Sequence, residues 1–160
     1  MTKVLYPGSF DPITKGHMNI VEQASELFDE VIIAILQNPK KNPMFTPQER
    51  LEMISELYKN YNNIKVVIGS GATVDIAILN DCKAIVRGLR SLTDYDYEVQ
   101  MQQINKDISN NQVNTICLFA DKEYQFISSS MVKEVLSLDK DISKYVDPLV
   151  EKQLLLKRGR

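Results

Sequence analysis

Five short runs rich in Val and Ile recur along the chain, and a stretch of helical periodicity separates each from the next. Nothing else in the sequence restricts the fold as tightly. The runs are Lys3–Tyr6, Val31–Leu36, Ile64–Ile68, Ala84–Arg87 and Thr115–Phe119. They are apolar on both faces, as strands buried in a parallel sheet are. After the first run, an amphipathic stretch beginning at Met18 places Ile20, Val21, Ala24, Leu27 and Phe28 on one helical stripe. A second helix starts at Thr46-Pro47-Gln48-Glu49, where Thr46 caps, Pro47 suits the first helical position and Glu49 completes a capping box. Its inner face is Leu51, Ile54, Leu57, Tyr58 and Tyr61.

A short helix near Val74–Asn80 and a long one from about Thr93 to Ile108 follow. Another opens in Ser128-Ser129-Ser130 and carries Met131, Val132, Val135 and Leu136, and a last one follows Pro148. This alternation predicts a single doubly wound α/β domain over residues 1–160. The expected sheet is parallel, Rossmann-like and five-stranded, in the order 3-2-1-4-5, with helices on both faces and C-terminal helices. Strands 1 and 4 then lie side by side at the switch point, where open sheets of this kind bind ligands.

Composition narrows the partners. A chain of 160 residues suits one core. A net charge of −2 argues against a general nucleic-acid binder, which needs a basic face. No apolar run is long enough to span a membrane, and the N-terminus lacks the regions of a secretory signal, so a cytoplasmic protein is expected. Cys82 and Cys117 read as two reduced core thiols. One histidine and no Cys cluster leave no protein-bound zinc site. There is no GxxxxGK[ST] loop and no GxSxG elbow. Gly69-Ser70-Gly71 lacks a third glycine and reads as a turn.

The one histidine, His17, closes the segment Gly8-Ser9-Phe10-Asp11-Pro12-Ile13-Thr14-Lys15-Gly16-His17, between the first strand and the first helix. A helix start carries unpaired N–H groups and partial positive charge, and so binds phosphate. The loop after strand 4, Arg87-Gly88-Leu89-Arg90-Ser91, opens at the same sheet edge under this topology, and Lys40 and Lys41 follow strand 2. His17, Arg87 and Arg90 are therefore expected to face one crevice able to hold a polyphosphate. Arg87 and Arg90 could instead be surface ion-pair partners, but their place at the end of a buried strand favours a ligand. Lys40-Lys41 alone would be a solvated pair. The serine triplet fits plain N-capping as well as ligand binding.

Four blocks in order, YPGSFDPITKGH, NPMFTPQER, IVRGLRSLTDYDYE and FISSSMVKEV, resemble the bacterial phosphopantetheine adenylyltransferases. These belong to the nucleotidyltransferase superfamily with the (H/T)xGH motif, here Thr14-Lys15-Gly16-His17. That family makes 3′-dephospho-coenzyme A and pyrophosphate from ATP and 4′-phosphopantetheine, by direct in-line attack in coenzyme A biosynthesis. The resemblance implies that Ser9 and Phe10 touch ATP, with Ser9 also near the pantetheine phosphate. The family commonly has Thr at Ser9, and the hydroxyl is kept. It implies that His17 contacts the α-phosphate and stabilises the transition state. Lys41 and Arg87 are implied to bind the acceptor phosphate, with Thr73 along the pantetheine arm. Gly88, Leu89, Arg90 and Glu98 are implied to line the ATP site, and Glu123, Tyr124, Gln125, Phe126, Ile127, Ser128 and Ser129 to cover adenine and the outer phosphates. Lys41 and Arg90 join His17 as expected catalytic groups, Lys41 aiming the attacking phosphate and Arg90 holding the leaving pyrophosphate. Mg²⁺ is expected to arrive with ATP. A homo-hexamer and feedback binding of coenzyme A are implied by the same resemblance. The rivals are a sister enzyme acting on nicotinamide mononucleotide or glycerol 3-phosphate, and a non-catalytic nucleotide sensor.

Overall fold

Strands and helices alternate up to the fifth strand, after which two α-helices close the fold. The computed structural model describes residues 1–38, 40 and 42–159. The elements are β1 (Lys3–Gly8), α1 (Lys15–Leu27), β2 (Glu30–Leu36), α2 (Pro47–Leu57), β3 (Ile64–Gly69) and α3 (Thr73–Leu79). They continue with β4 (Ala84–Leu89), α4 (Leu92–Ile108), β5 (Asn114–Phe119), α5 (Ser129–Ser137) and α6 (Pro148–Arg158). The sheet is parallel throughout, in the expected order β3-β2-β1-β4-β5.

Successive strand residues point to opposite faces, so the sheet has two cores. On one face Val4, Tyr6, Ile33, Ile35 and Val86 pack with α1, α2, α5 and α6, through residues such as Ile20, Ile54, Val132 and Leu154. On the other, Leu5, Ile32, Ala34 and Ile85 pack with Val74, Ile76 and Ala77 of α3.

Several expectations need correction. Only the three inner strands are apolar and buried along both faces. The ends of the sheet order leave β3 and β5 half open, and Cys117 on β5 is exposed whereas Cys82 is buried. The first helix begins at Lys15, not at Met18, because Thr14 caps it. Leu27, at the end of α1, points to solvent, and so does Tyr61 beyond α2. The inner face of α2 includes Met53 and, against its charge, Arg50. Thr46, Pro47 and Glu49 form the expected capping box. Ser91 caps α4, ahead of the expected start near Thr93. A 3-10 turn at Lys122–Tyr124 had no sequence signal.

Candidate active site

β1 and β2 pair over their full length, from Lys3↔Glu30 to Gly8↔Ile35. β1 and β4 pair only at Val4↔Ala84 and Leu5↔Ile85. Beyond those residues the two strands part, and a crevice of about 200 Å³ opens between them. Pro7, Gly8 and Ser9 form one wall, Arg87, Gly88 and Arg90 the other, with Gly16, His17 and Ile127 among the rest of the lining. Two glycines keep it open by close packing around its rim. A Cβ on Gly16 would stand 3.0 Å from the Ile127 carbonyl oxygen, and one on Gly88 would stand 3.0 Å from Ile20 Cγ1.

His17 occupies the third position of α1, and its ring closes a capping box in which Glu or Gln is the usual partner. The Thr14 N–H donates to His17 Nδ1 at 3.0 Å, so Nδ1 is bare and the proton of the neutral ring sits on Nε2. The Phe10 ring meets the imidazole edge to face, with centroids 5.1 Å apart. Loss of water around the ring, and secondarily the Arg90 cation, lower its pKa from 6.5 to about 4. At neutral pH the imidazole is uncharged and offers one hydrogen to the crevice.

The helix start offers less to an anion than the sequence implies. The Lys15 N–H is taken by the Tyr145 carbonyl, and the His17 N–H by Thr14 Oγ1. Gly16, which lines the crevice, has the first-turn amide to which no described residue offers an acceptor.

Arg87 donates from Nε to Glu98 Oε1 at 2.9 Å and reaches the Pro7 carbonyl at 3.5 Å. Glu98 is buried behind it. Arg90 donates to the Ile127 carbonyl at 3.0 Å, and its Nε lies 3.5 Å from Asp94. Both guanidiniums are thus held at the crevice with charge to spare on their open sides. Buried Asp11 accepts from the N–H groups of Met44 and Phe45 and pairs with Lys133 at 3.2 Å. Buried Arg50 donates to the Ser9 carbonyl at 2.6 Å and to the Phe45 carbonyl at 3.2 Å. These contacts fix the loop after β1 against the segment before α2. Asn19 and Asp121 exchange two hydrogen bonds that clamp α1 to the chain after β5.

The expected residues divide. Ser9, His17, Arg87, Gly88, Arg90 and Ile127 meet in the crevice. Leu89 and Gln125 line an adjoining hollow that shares Arg90. Ser129 is spent on the Pro12 carbonyl at 2.8 Å, and Ser128 caps α5, which answers for two members of the serine triplet. Phe10 is buried under His17 rather than open to a ligand. Glu98 faces Arg87, and Thr73 stands at the start of α3. Glu123, Tyr124 and Phe126 follow β5, with Phe126 fully out in solvent. Lys41 lies outside the described residues. Sequence reasoning missed Tyr6, a buried aromatic on the crevice wall whose hydroxyl is raised above its ordinary pKa by loss of water. A lone tyrosine in an otherwise aliphatic strand was the available signal.

A cytidylyltransferase-like family model matches residues 5–135. A phosphopantetheine adenylyltransferase of Heliobacterium modesticaldum is 46% identical over 99% of this chain and 94% of that protein. One from Thermobifida fusca is 43% identical over 98% of this chain and 94% of that protein. Among solved structures, a Vibrio parahaemolyticus protein named provisionally as a nicotinate-nucleotide adenylyltransferase superposes with a TM-score of 0.67. It covers 97% of this chain and 99% of its own at 20% identity, a likeness of fold.

Proposed function

This chain belongs to the cytidylyltransferase-like family and, within it, to the phosphopantetheine adenylyltransferases, and from that membership we propose that it transfers the adenylyl group of ATP to 4′-phosphopantetheine, releasing pyrophosphate. The observation that carries the reading is the meeting of His17, Arg87 and Arg90 around one crevice.

The attacking group is already a phosphate anion, so no general base and no enzyme nucleophile are required. The barrier lies in bringing two anions into line and neutralising the charge that develops at the α-phosphorus. His17 donates from Nε2 to an α-phosphoryl oxygen, beside the unengaged amide of Gly16. A neutral donor suits this step, because it stabilises growing negative charge without holding the substrate as a full ion pair would. Arg87, aimed by Glu98, takes the acceptor phosphate, and Lys41 is assigned beside it on the sequence match. Arg90 steadies the leaving pyrophosphate. Mg²⁺ is treated as part of the Mg–ATP substrate. Among the described residues no group of three or more His, Cys, Asp or Glu converges as a cage, and the nearby Asp11 carboxylate is already engaged. A Mg²⁺ ion arriving this way would keep several of its waters and be held mainly by the phosphates.

The reading extends to assembly and setting. α4 exposes Leu92, Tyr95, Ile104 and Ile108 beside the open edge of β5, apolar surface that a homo-hexamer would cover. Coenzyme A, which shares the pantetheine arm and the adenylate, is assigned as a feedback ligand. Among the described residues no helix is long and apolar enough to cross a membrane, and a cytoplasmic setting is proposed together with the activity.

The test is incubation with Mg–ATP and, separately, phosphopantetheine, nicotinamide mononucleotide, glycerol 3-phosphate or no acceptor. Pyrophosphate release and the mass of an adenylylated product are scored. Product with phosphopantetheine alone is expected. Product with another acceptor reassigns the substrate, and ATP binding without product in any arm refutes catalysis.

A further inference from the structure

The first residue of the Thr14-Lys15-Gly16-His17 motif is not among those that line the crevice. Thr14 is wholly buried, with no exposed surface. Its backbone N–H donates to His17 Nδ1 at 3.0 Å, and its Oγ1 lies 3.0 Å from the same nitrogen. The His17 N–H returns a hydrogen bond to Oγ1 at 3.4 Å. Because Oγ1 already accepts from that amide, its own hydrogen is free to turn toward Nδ1. The backbone N–H donates to Nδ1 whatever the hydroxyl does, and the hydroxyl adds a second donor only while that nitrogen is bare.

A Glu or Gln at this position of a capping box accepts through oxygen in any rotamer. Imidazole accepts only on an unprotonated nitrogen. Closing the box with histidine therefore selects a tautomer, which the usual box never has to do. If Nδ1 carried the proton, the hydroxyl could turn and accept from it, but the N–H of the wholly buried Thr14 would face another donor and be left unpaired, so the backbone N–H is what selects the tautomer. The Phe10 contact restrains the ring sideways, and Thr14 restrains it in protonation and tilt.

We propose that Thr14 is a positioning residue for His17: its backbone N–H holds the imidazole in the Nε2–H form, and its hydroxyl, bonded to the same ring nitrogen, fixes the tilt that aims that hydrogen into the crevice. Such a donor meets the developing α-phosphoryl charge without reorganising. The inference rests on the adenylyl-transfer reading for its kinetic consequence but not for its spectroscopic one.

Thr14→Val keeps the shape and the backbone N–H and removes the hydroxyl, and Thr14→Ser keeps the hydroxyl. The single imidazole allows both ring nitrogens to be assigned by ¹⁵N NMR in the ligand-free protein, while steady-state kinetics with Mg–ATP and phosphopantetheine give kcat and both KM values. In Thr14→Val we expect Nδ1 to stay unprotonated but its resonance to move as the hydroxyl partner is lost, and kcat to fall about tenfold or more, with both KM values within about threefold. Thr14→Ser should restore both readouts. Unchanged nitrogen signals in Thr14→Val overturn the proposal, even if kcat falls, because the hydroxyl would then act on stability alone. If the valine variant does not fold, a serine variant with altered tautomer or with kcat down about tenfold overturns it as well. An inactive wild type with the Nε2–H tautomer in place refutes the enzymatic reading and leaves the positioning geometry standing.

Discussion

Acidifying the ligand-free protein measures how strongly the fold insists on a neutral His17. Loss of water around the ring comes first and the Arg90 cation second, and together they lower the pKa from 6.5 to about 4. A depression of roughly 2.5 units at about 1.36 kcal/mol each corresponds to about 3 kcal/mol. The sign follows from proton counting. Between those two values the unfolded chain binds a proton that the folded chain refuses. The contribution is therefore fully present above pH 6.5 and is lost as pH falls toward about 4. Carboxylates titrate in the lower half of that window, so the comparison needs a reference. His17→Gln supplies one, because Gln can close the same capping box and does not ionise. Urea unfolding of both proteins at about pH 7 and about pH 4 should show the wild type losing about 2–3 kcal/mol more than the variant. In parallel, the C–H resonances of the only histidine should titrate near 4, with no inflection between 6 and 7. An imidazole titrating near its ordinary 6.5, or two proteins whose stabilities fall together, would refute the account of the site as closed around an uncharged ring.

His17→Ala removes one preorganised donor, so kcat should fall on the order of 10²–10³ while ATP binding by calorimetry changes little; normal turnover would end its assigned role. Glu98→Ala frees the Arg87 guanidinium and should raise KM for phosphopantetheine about tenfold, with KM for ATP nearly unchanged. A selective loss of ATP affinity would return Glu98 to the ATP site. Gly16→Ala gains up to about 1 kcal/mol of helix propensity but drives a methyl against the Ile127 carbonyl, and overpacking of about 1–3 kcal/mol should prevail, lowering Tm and loosening Arg90. Asp11→Asn leaves the Met44 and Phe45 N–H groups with one side-chain oxygen between them and should cost about 1–3 kcal/mol in urea unfolding.

Period and composition made the sheet legible. Val4, Leu5 and the run from Val31 to Ile35 are apolar on consecutive positions, and only a strand covered on both faces tolerates that. The same reasoning failed at β5, where Cys117 is exposed: the expected order 3-2-1-4-5 already put strand 5 at an edge, but its burial was read from apolar composition without that consequence. The crevice was legible in outline, since Arg87 lies near the end of one strand, Arg90 follows it, and His17 follows the strand that the switch-point rule makes its neighbour. Its supporting contacts were not. Arg87 with Glu98 is a pairing across β4 and α4, and Arg50 with the Ser9 carbonyl joins residues 41 apart. Such bonds depend on distances that only folding creates. Thr14 was hidden for another reason: Thr-x-x-His does not look like a capping box, because the pattern is learned from acids and amides.

The brief pairing of β1 with β4 has a mechanical consequence. Past Leu5 and Ile85 no backbone ladder joins the β3-β2-β1 half of the sheet to the β4-β5 half, so the domain carries a seam. Arg87 reaching toward the Pro7 carbonyl is a weak stitch across it. A triphosphate held between His17 and Arg90, with a second phosphate held between Ser9 and Arg87, would lace both halves together and supply the tension that the missing rungs do not.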